Sequence, residues 1–238
     1  MNKLKPHERI FVALDTAELK EALELSRALK GLVGGVKLGK EFFTACGPEG
    51  VQAVNDCGMP VFLDLKFHDI PNTVASAIKA SMLLSPYMVN VHASGGETMM
   101  RAAIQSAEKE SEKRPLILGV TVLTSMDKSD LSGVGIKSSI PDQVLRLASL
   151  CQISGLDGVV CSAQEVEVLR EHFGKNFILV VPGIRPHWAS KNDQKRIVTP
   201  TAAIATGADY LVIGRPITSA DDPVEAANKI AAEIADGI

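Results

Sequence analysis

Gly155-Leu156-Asp157-Gly158-Val159-Val160-Cys161 and Gly207-Ala208-Asp209-Tyr210-Leu211-Val212-Ile213-Gly214 decide how the chain folds. Each opens on a glycine suited to ending a helix and runs at once into a short, almost continuous apolar segment. A run of that kind is a strand buried on both faces, the habit of parallel sheets. Working outward, apolar runs recur at residues 10–14, 33–38, 61–65, 87–91, 116–123, 158–161, 177–181 and 210–213. Between them the period changes from two to between three and four. Leu19, Ala22, Leu25 and Leu29 form one such stripe, with Glu18, Glu21 and Glu24 set against it. Val144, Leu147, Ala148 and Cys151 form another, and Val166 and Leu169 a shorter one.

Eight strand–helix units call for parallel strands joined by right-handed crossovers. The 238 residues fit a closed (β/α)8 TIM barrel, an α/β fold of about 250 residues. A doubly wound open sheet is the alternative, but a Gly-x-Gly-x-x-Gly after the first strand is missing. No linker composition interrupts the rhythm, so residues 1–238 read as one domain. Residues 124–141 and 183–199 read as long strand-to-helix connections, a length usual for functional lids or for disordered segments.

Composition narrows the function classes. A net charge of −3 without a basic run argues against a nucleic-acid surface. One Trp, two Tyr and seven Phe are few for stacking on single strands. Cys46, Cys57, Cys151 and Cys161 form no CxxC pair or zinc spacing and suit a reducing compartment. The charged opening, Met1 to Arg9, does not resemble a signal peptide, and no apolar run is long enough to span a membrane. A cytoplasmic protein is expected, with no nucleic-acid or membrane partner.

Barrel active sites lie at the carboxyl ends of the strands. Those ends carry Asp15, Lys37, Asp64 with Lys66, His92, Thr124 with Ser125, Ser162, Gly183 with Arg185, and Gly214 with Arg215. The richest segment is Phe62-Leu63-Asp64-Leu65-Lys66-Phe67-His68-Asp69-Ile70-Pro71-Asn72-Thr73. Strand alternation turns Leu63 and Leu65 toward the helices and Asp64 and Lys66 into the barrel, about 6–7 Å apart. Lys37 reaches the same face from the neighbouring strand. Unpaired charge there is expensive, so the three form either a buried structural ion network or a working site. On spacing alone Asp69 reads as a helix cap before Pro71, Thr73 as a first-turn residue, His92 as a core group and Gln194 as solvated. Arg185 after strand seven, with Gly214 and Arg215 after strand eight, stands where such barrels bind phosphate.

The chain resembles the orotidine 5′-phosphate decarboxylase family. Asp64-Leu65-Lys66-Phe67-His68-Asp69-Ile70-Pro71-Asn72-Thr73 carries the resemblance, with Leu123-Thr124-Ser125-Met126, Val181-Pro182-Gly183-Ile184-Arg185-Pro186 and Val212-Ile213-Gly214-Arg215-Pro216 in order. It extends over about residues 10–222 and is least secure around 187–195. It implies conversion of orotidine 5′-monophosphate to uridine 5′-monophosphate, the last step of de novo pyrimidine nucleotide synthesis, without metal or cofactor. Lys37, Asp64, Lys66 and Asp69 would form a charged tetrad with Lys66 as proton donor. Asp69 and Thr73 would enter the partner's site in a homodimer. Asp15, Lys37 and Thr73 would hold ribose hydroxyls, Thr124 and Ser125 the pyrimidine edge, and Gln194 both base and phosphate. Arg185, Gly214 and Arg215 would bind phosphate. Two rival readings are a magnesium-dependent sugar-phosphate decarboxylase or aldolase and a catalytically silent nucleotide-binding barrel. Relatives of the first kind carry a metal-binding Glu where this chain has Lys37.

Overall fold

The computed structural model describes residues 4–110, 113–189 and 198–237. Strands and helices alternate as β1 (Ile10–Leu14), α1 (Leu19–Leu29), β2 (Gly35–Gly39), α2 (Lys40–Asp56), β3 (Val61–Phe67), α3 (Pro71–Met82), β4 (Met88–His92) and α4 (Glu97–Glu110). They continue as β5 (Leu116–Val120), α5 (Lys128–Gly133), α6 (Ile140–Ile153), β6 (Gly158–Val160), α7 (Val166–Phe173), β7 (Ile178–Pro182), α8 (Pro200–Thr206), β8 (Tyr210–Ile213), α9 (Arg215–Thr218) and α10 (Pro223–Asp236). The strands are parallel and close in sequence order, β8 pairing with β1 through Ile10–Leu211 and Phe11–Val212.

Alternation along each strand builds two apolar shells. Ile10, Val12 and Leu14 of β1 face the helices, whereas Phe11 and Ala13 face the barrel interior. On β4, Val89 and Val91 point outward and Met88 inward, so Asn90 shares the inward face. The interior is apolar at the amino end, where Phe11 stacks on Tyr87 and meets Tyr210 edge-on at 5.7 and 5.5 Å. Gly35 makes this possible, since a Cβ there would lie 2.5 Å from the Phe11 ring.

The two glycine-led phrases end helices as expected. Gly207 caps α8 in the left-handed region at φ +114°, and Gly155 follows α6 at φ +86°. Their aspartates do more than announce a strand. Asp157 accepts from Ile117 N of β5 and pairs with Arg114, and Asp209 accepts from Leu179 N of β7 and pairs with Arg170.

The stretch expected as a loop at 124–141 contains α5 and the start of α6. Asp127 and Asp130 form a reciprocal capping box that nucleates α5, and Ser139 caps α6. β5 accordingly stops at Val120 rather than running to 123. No helix among the described residues is long and apolar enough to cross a membrane.

Candidate active site

At the carboxyl end the interior turns from apolar to charged. Lys37 Nζ of β2 lies 3.1 Å from Asp15 Oδ1 after β1 and 3.4 Å from Asp64 Oδ2 of β3. The other Asp64 oxygen takes Lys66 Nζ at 2.6 Å. Asp15, Lys37, Asp64 and Lys66 thus form a line of alternating sign, one member longer than the sequence spacing suggests. Lys37 and Asp64 are buried and Lys66 half-buried, while Asp15 opens to solvent.

The face of Asp64 follows from alternation, but Lys66 is reached differently. The β3–β4 ladder passes from Leu63–Val89 to Phe67–Val91 across an irregularity, and Lys66 has φ +54°. Left-handed backbone costs a non-glycine residue about 1–2 kcal/mol, so the surroundings must hold it there. Asn90 of β4 does so. Its Oδ1 accepts from Lys66 N at 2.8 Å, and its Nδ2 donates to Asp64 Oδ1 at 2.6 Å. Sequence reasoning passed over Asn90, although a polar residue at an inward position of an apolar strand was a usable signal.

Two adjoining cavities share Lys37, Pro182 and Val212 as walls. The smaller, about 200 Å³, is bounded by Asp64, Lys66 and Thr124 with apolar Phe62, Val120 and Val160. The larger, about 570 Å³, is bounded by Asp15, Gly183, Arg185, Gly214 and Arg215. One lobe is charged at its floor and apolar on its sides; the other sets Lys37, Arg185, Arg215 and two glycines beside Asp15 and Glu21. Arg185 is buried, and Arg215 begins α9. Among the described residues a Cβ on Gly214 would meet only Ala13, at an ordinary 3.5 Å.

The remaining expected residues divide. Ser125 is exposed beside Thr124 and lines neither lobe. Asp69 and Thr73 are exposed, and among the described residues Asp69 makes no ion pair with Lys66. The capping role expected of Asp69 on spacing alone is corrected: Ile70 is the N-cap of α3, with Pro71 first in the helix, and Asp69 Oδ1 accepts from the adjacent Ile70 N at 2.6 Å. Gln194 lies outside the described residues. His92 ends β4 with its ring 5.4 Å from that of His68. Burial holds its pKa below the usual 6.5, and the nearby His68, Lys40 and Lys66 push the same way.

A family model described as orotidine 5′-phosphate decarboxylase / HUMPS matches residues 8–230. The chain belongs to that family. A Rhodospirillum rubrum protein described as orotidine 5′-phosphate decarboxylase is 55% identical over 230 residues, covering 94% of this chain and 93% of the relative. A Vibrio cholerae protein with the same description is 54% identical, covering 90% and 93%. Among solved structures, an orotidine 5′-phosphate decarboxylase from Lactobacillus acidophilus superposes with a TM-score of 0.83 at 36% identity, covering 94% of this chain and 98% of that one. An uncharacterized conserved protein from Geobacillus kaustophilus gives 0.84 at 38% identity, covering 94% and 99%. The decarboxylase family thus accounts for nearly the whole barrel, both lobes included.

Proposed function

We propose that this protein decarboxylates orotidine 5′-monophosphate to uridine 5′-monophosphate and CO₂, closing de novo pyrimidine nucleotide synthesis. Its relatives at 55% and 54% identity carry that activity in their descriptions. The observation that carries the reading is the Lys66–Asp64–Lys37 line at the floor of a lobe that adjoins one bearing Arg185 and Arg215. The smaller lobe suits a pyrimidine and the larger a ribose 5′-phosphate.

Breaking the bond from C6 to the carboxylate leaves its electron pair on C6, in the ring plane and without an obvious π sink. Fixed charge must stabilise it. An ammonium about 4 Å away at an effective dielectric near 20 contributes roughly 4 kcal/mol, or about three decades of rate. Lys66 then passes a proton from Nζ to C6. Contacts remote from C6 supply orientation and offset the cost of desolvation. Arg185, Gly214 and Arg215 take the phosphate, Asp15 and Lys37 the ribose hydroxyls, and Thr124, with Ser125 next to it in the chain, the pyrimidine edge; by resemblance Gln194, outside the described residues, is assigned to base and phosphate. A sugar-phosphate enzyme using magnesium fits less well, because the Lys37 ammonium already fills the space between Asp15 and Asp64. The four free thiols suit the cytoplasm.

The active unit in this reading is a homodimer. Asp69 and Thr73 sit exposed beside Ile70, itself 67% exposed, and are offered to a second copy. Subunits carrying Lys66→Ala and subunits carrying Asp69→Ala, each inactive alone, should regain about a quarter of the wild-type sites when mixed and re-equilibrated. No recovery would mean that Asp69 serves its own barrel.

The deciding assay is orotidine 5′-monophosphate with purified protein in excess EDTA, followed by formation of uridine 5′-monophosphate. Turnover supports substrate and metal independence together. Turnover only after Mg²⁺ is restored removes the metal-free mechanism, and none in either condition removes the reading.

A further inference from the structure

Asp64 is held by donors from three strands. Lys37 of β2 approaches Oδ2, while Lys66 of β3 and Asn90 of β4 both meet Oδ1. Asn90 is 0% exposed and lines neither lobe, so it touches no substrate. The same side chain accepts the Lys66 N–H where the β3–β4 ladder is irregular and where Lys66 adopts its left-handed backbone. The amide orientation is fixed by chemistry: turned over, its carbonyl oxygen would face the Asp64 carboxylate. We infer that Asn90 is the positioning residue of the charged line, its amide oxygen holding the backbone of Lys66 and its amide nitrogen holding the carboxylate that aims the Lys66 ammonium.

The inference rests, for its kinetic part, on the decarboxylase reading above. Few other side chains suit both bonds. Leucine keeps the branched outline, though it is bulkier, but leaves the Lys66 N–H without its acceptor and Asp64 Oδ1 with Lys66 Nζ as its remaining donor. Aspartate keeps the acceptor but sets a second carboxylate against Asp64. In either case Lys66 Nζ leaves its place, and displacements of about 1 Å cost on the order of 10–100-fold in rate. The phosphate lobe is untouched, so substrate binding should change little.

The test compares Asn90→Leu and Asn90→Asp with wild type, normalised to folded protein. The expected result is a fall in kcat of about 10–100-fold, with KM for orotidine 5′-monophosphate within about threefold. The groups about position 90 are Asp64 and Lys66 of β3, Leu118 as its β5 partner, and His92 further along β4. A carboxyl at position 90 donates to Asp64 only when protonated, so kcat of Asn90→Asp relative to wild type should rise as pH falls. A purely packing role would not produce that recovery. Unchanged kcat in the two variants would overturn the inference, as would a loss confined to KM. So would an Asn90→Leu protein that fails to fold beside a fully active Asn90→Asp. Crystal structures of the variants separate this inference from the functional reading. If wild type fails to turn over the substrate, the reading falls, yet an unmoved Lys66 in both variants would still overturn the role of Asn90.

Discussion

The two ends of the barrel interior solve the same filling problem with opposite materials. At the amino end Phe11, Tyr87 and Tyr210 pack ring against ring, and the two tyrosine hydroxyls meet at 2.8 Å. The nearby charges are local stitches: Asp157 with Arg114, and Asp209 with Arg170, each carboxylate also taking a strand N–H. At the carboxyl end the line Asp15–Lys37–Asp64–Lys66 borders an open cavity. Aromatic burial stabilises, whereas buried ion pairs contribute little to stability. The difference teaches that one end holds the fold and the other, in the proposed reading, does chemistry. Substitutions should therefore separate stability from activity by position along the barrel axis.

Lys66→Ala tests this separation with the largest expected effect. Turnover should fall by about three decades or more while the barrel stays folded, since Asp64 keeps Lys37 and Asn90. Near-normal turnover would remove Lys66 from the mechanism, and unfolding would show that the carboxyl end also supports the fold. Phe11→Ala is the mirror experiment. Denaturant unfolding should show a loss of about 3–5 kcal/mol, with kcat/KM unchanged wherever the protein remains folded.

Arg215→Ala sharpens the comparison within the carboxyl end. Calorimetry should show uridine 5′-monophosphate bound more weakly by about 1.5–3 kcal/mol, with uridine little affected. Equal losses for both ligands would argue against phosphate at this position. The smallest effect concerns His92, whose folded pKa is depressed chiefly by burial. The unfolded chain takes its proton near the ordinary 6.5 and the folded chain resists, so stability is lost as pH falls below that value through the folded one. His92→Gln should flatten the stability curve across this window; parallel curves would show that a charged His92 is tolerated.

Much of the barrel was readable because its signals are local. A glycine in the left-handed region ends a helix, and an apolar run marks a strand buried on two faces, as at Gly207 and β8. The charges at 37, 64 and 66 were readable because a parallel barrel makes inward charge conspicuous. The irregularity at Lys66 was not, since no glycine or proline marks it and its partner is distant in sequence, at Asn90. On spacing alone Asp69 fitted a cap and by resemblance a place in the charged tetrad, since a carboxylate before Ile70-Pro71 suits both; the backbone gives the N-cap to Ile70. The capping box of α5 was present in Asp127-Lys128-Ser129-Asp130, but it stands in a polar stretch that lacks a helical apolar stripe.

Closure of the sheet also orders events on the ribosome. β1 waits for β8, a partner about 200 residues later. Until that strand emerges, the sheet has two raw edges, a state open to mispairing. The first three strands, which carry Asp15, Lys37, Asp64 and Lys66, can align early in synthesis. The larger lobe draws on β1, β2, β7 and β8, so its wall is complete only once the last strand has closed the barrel.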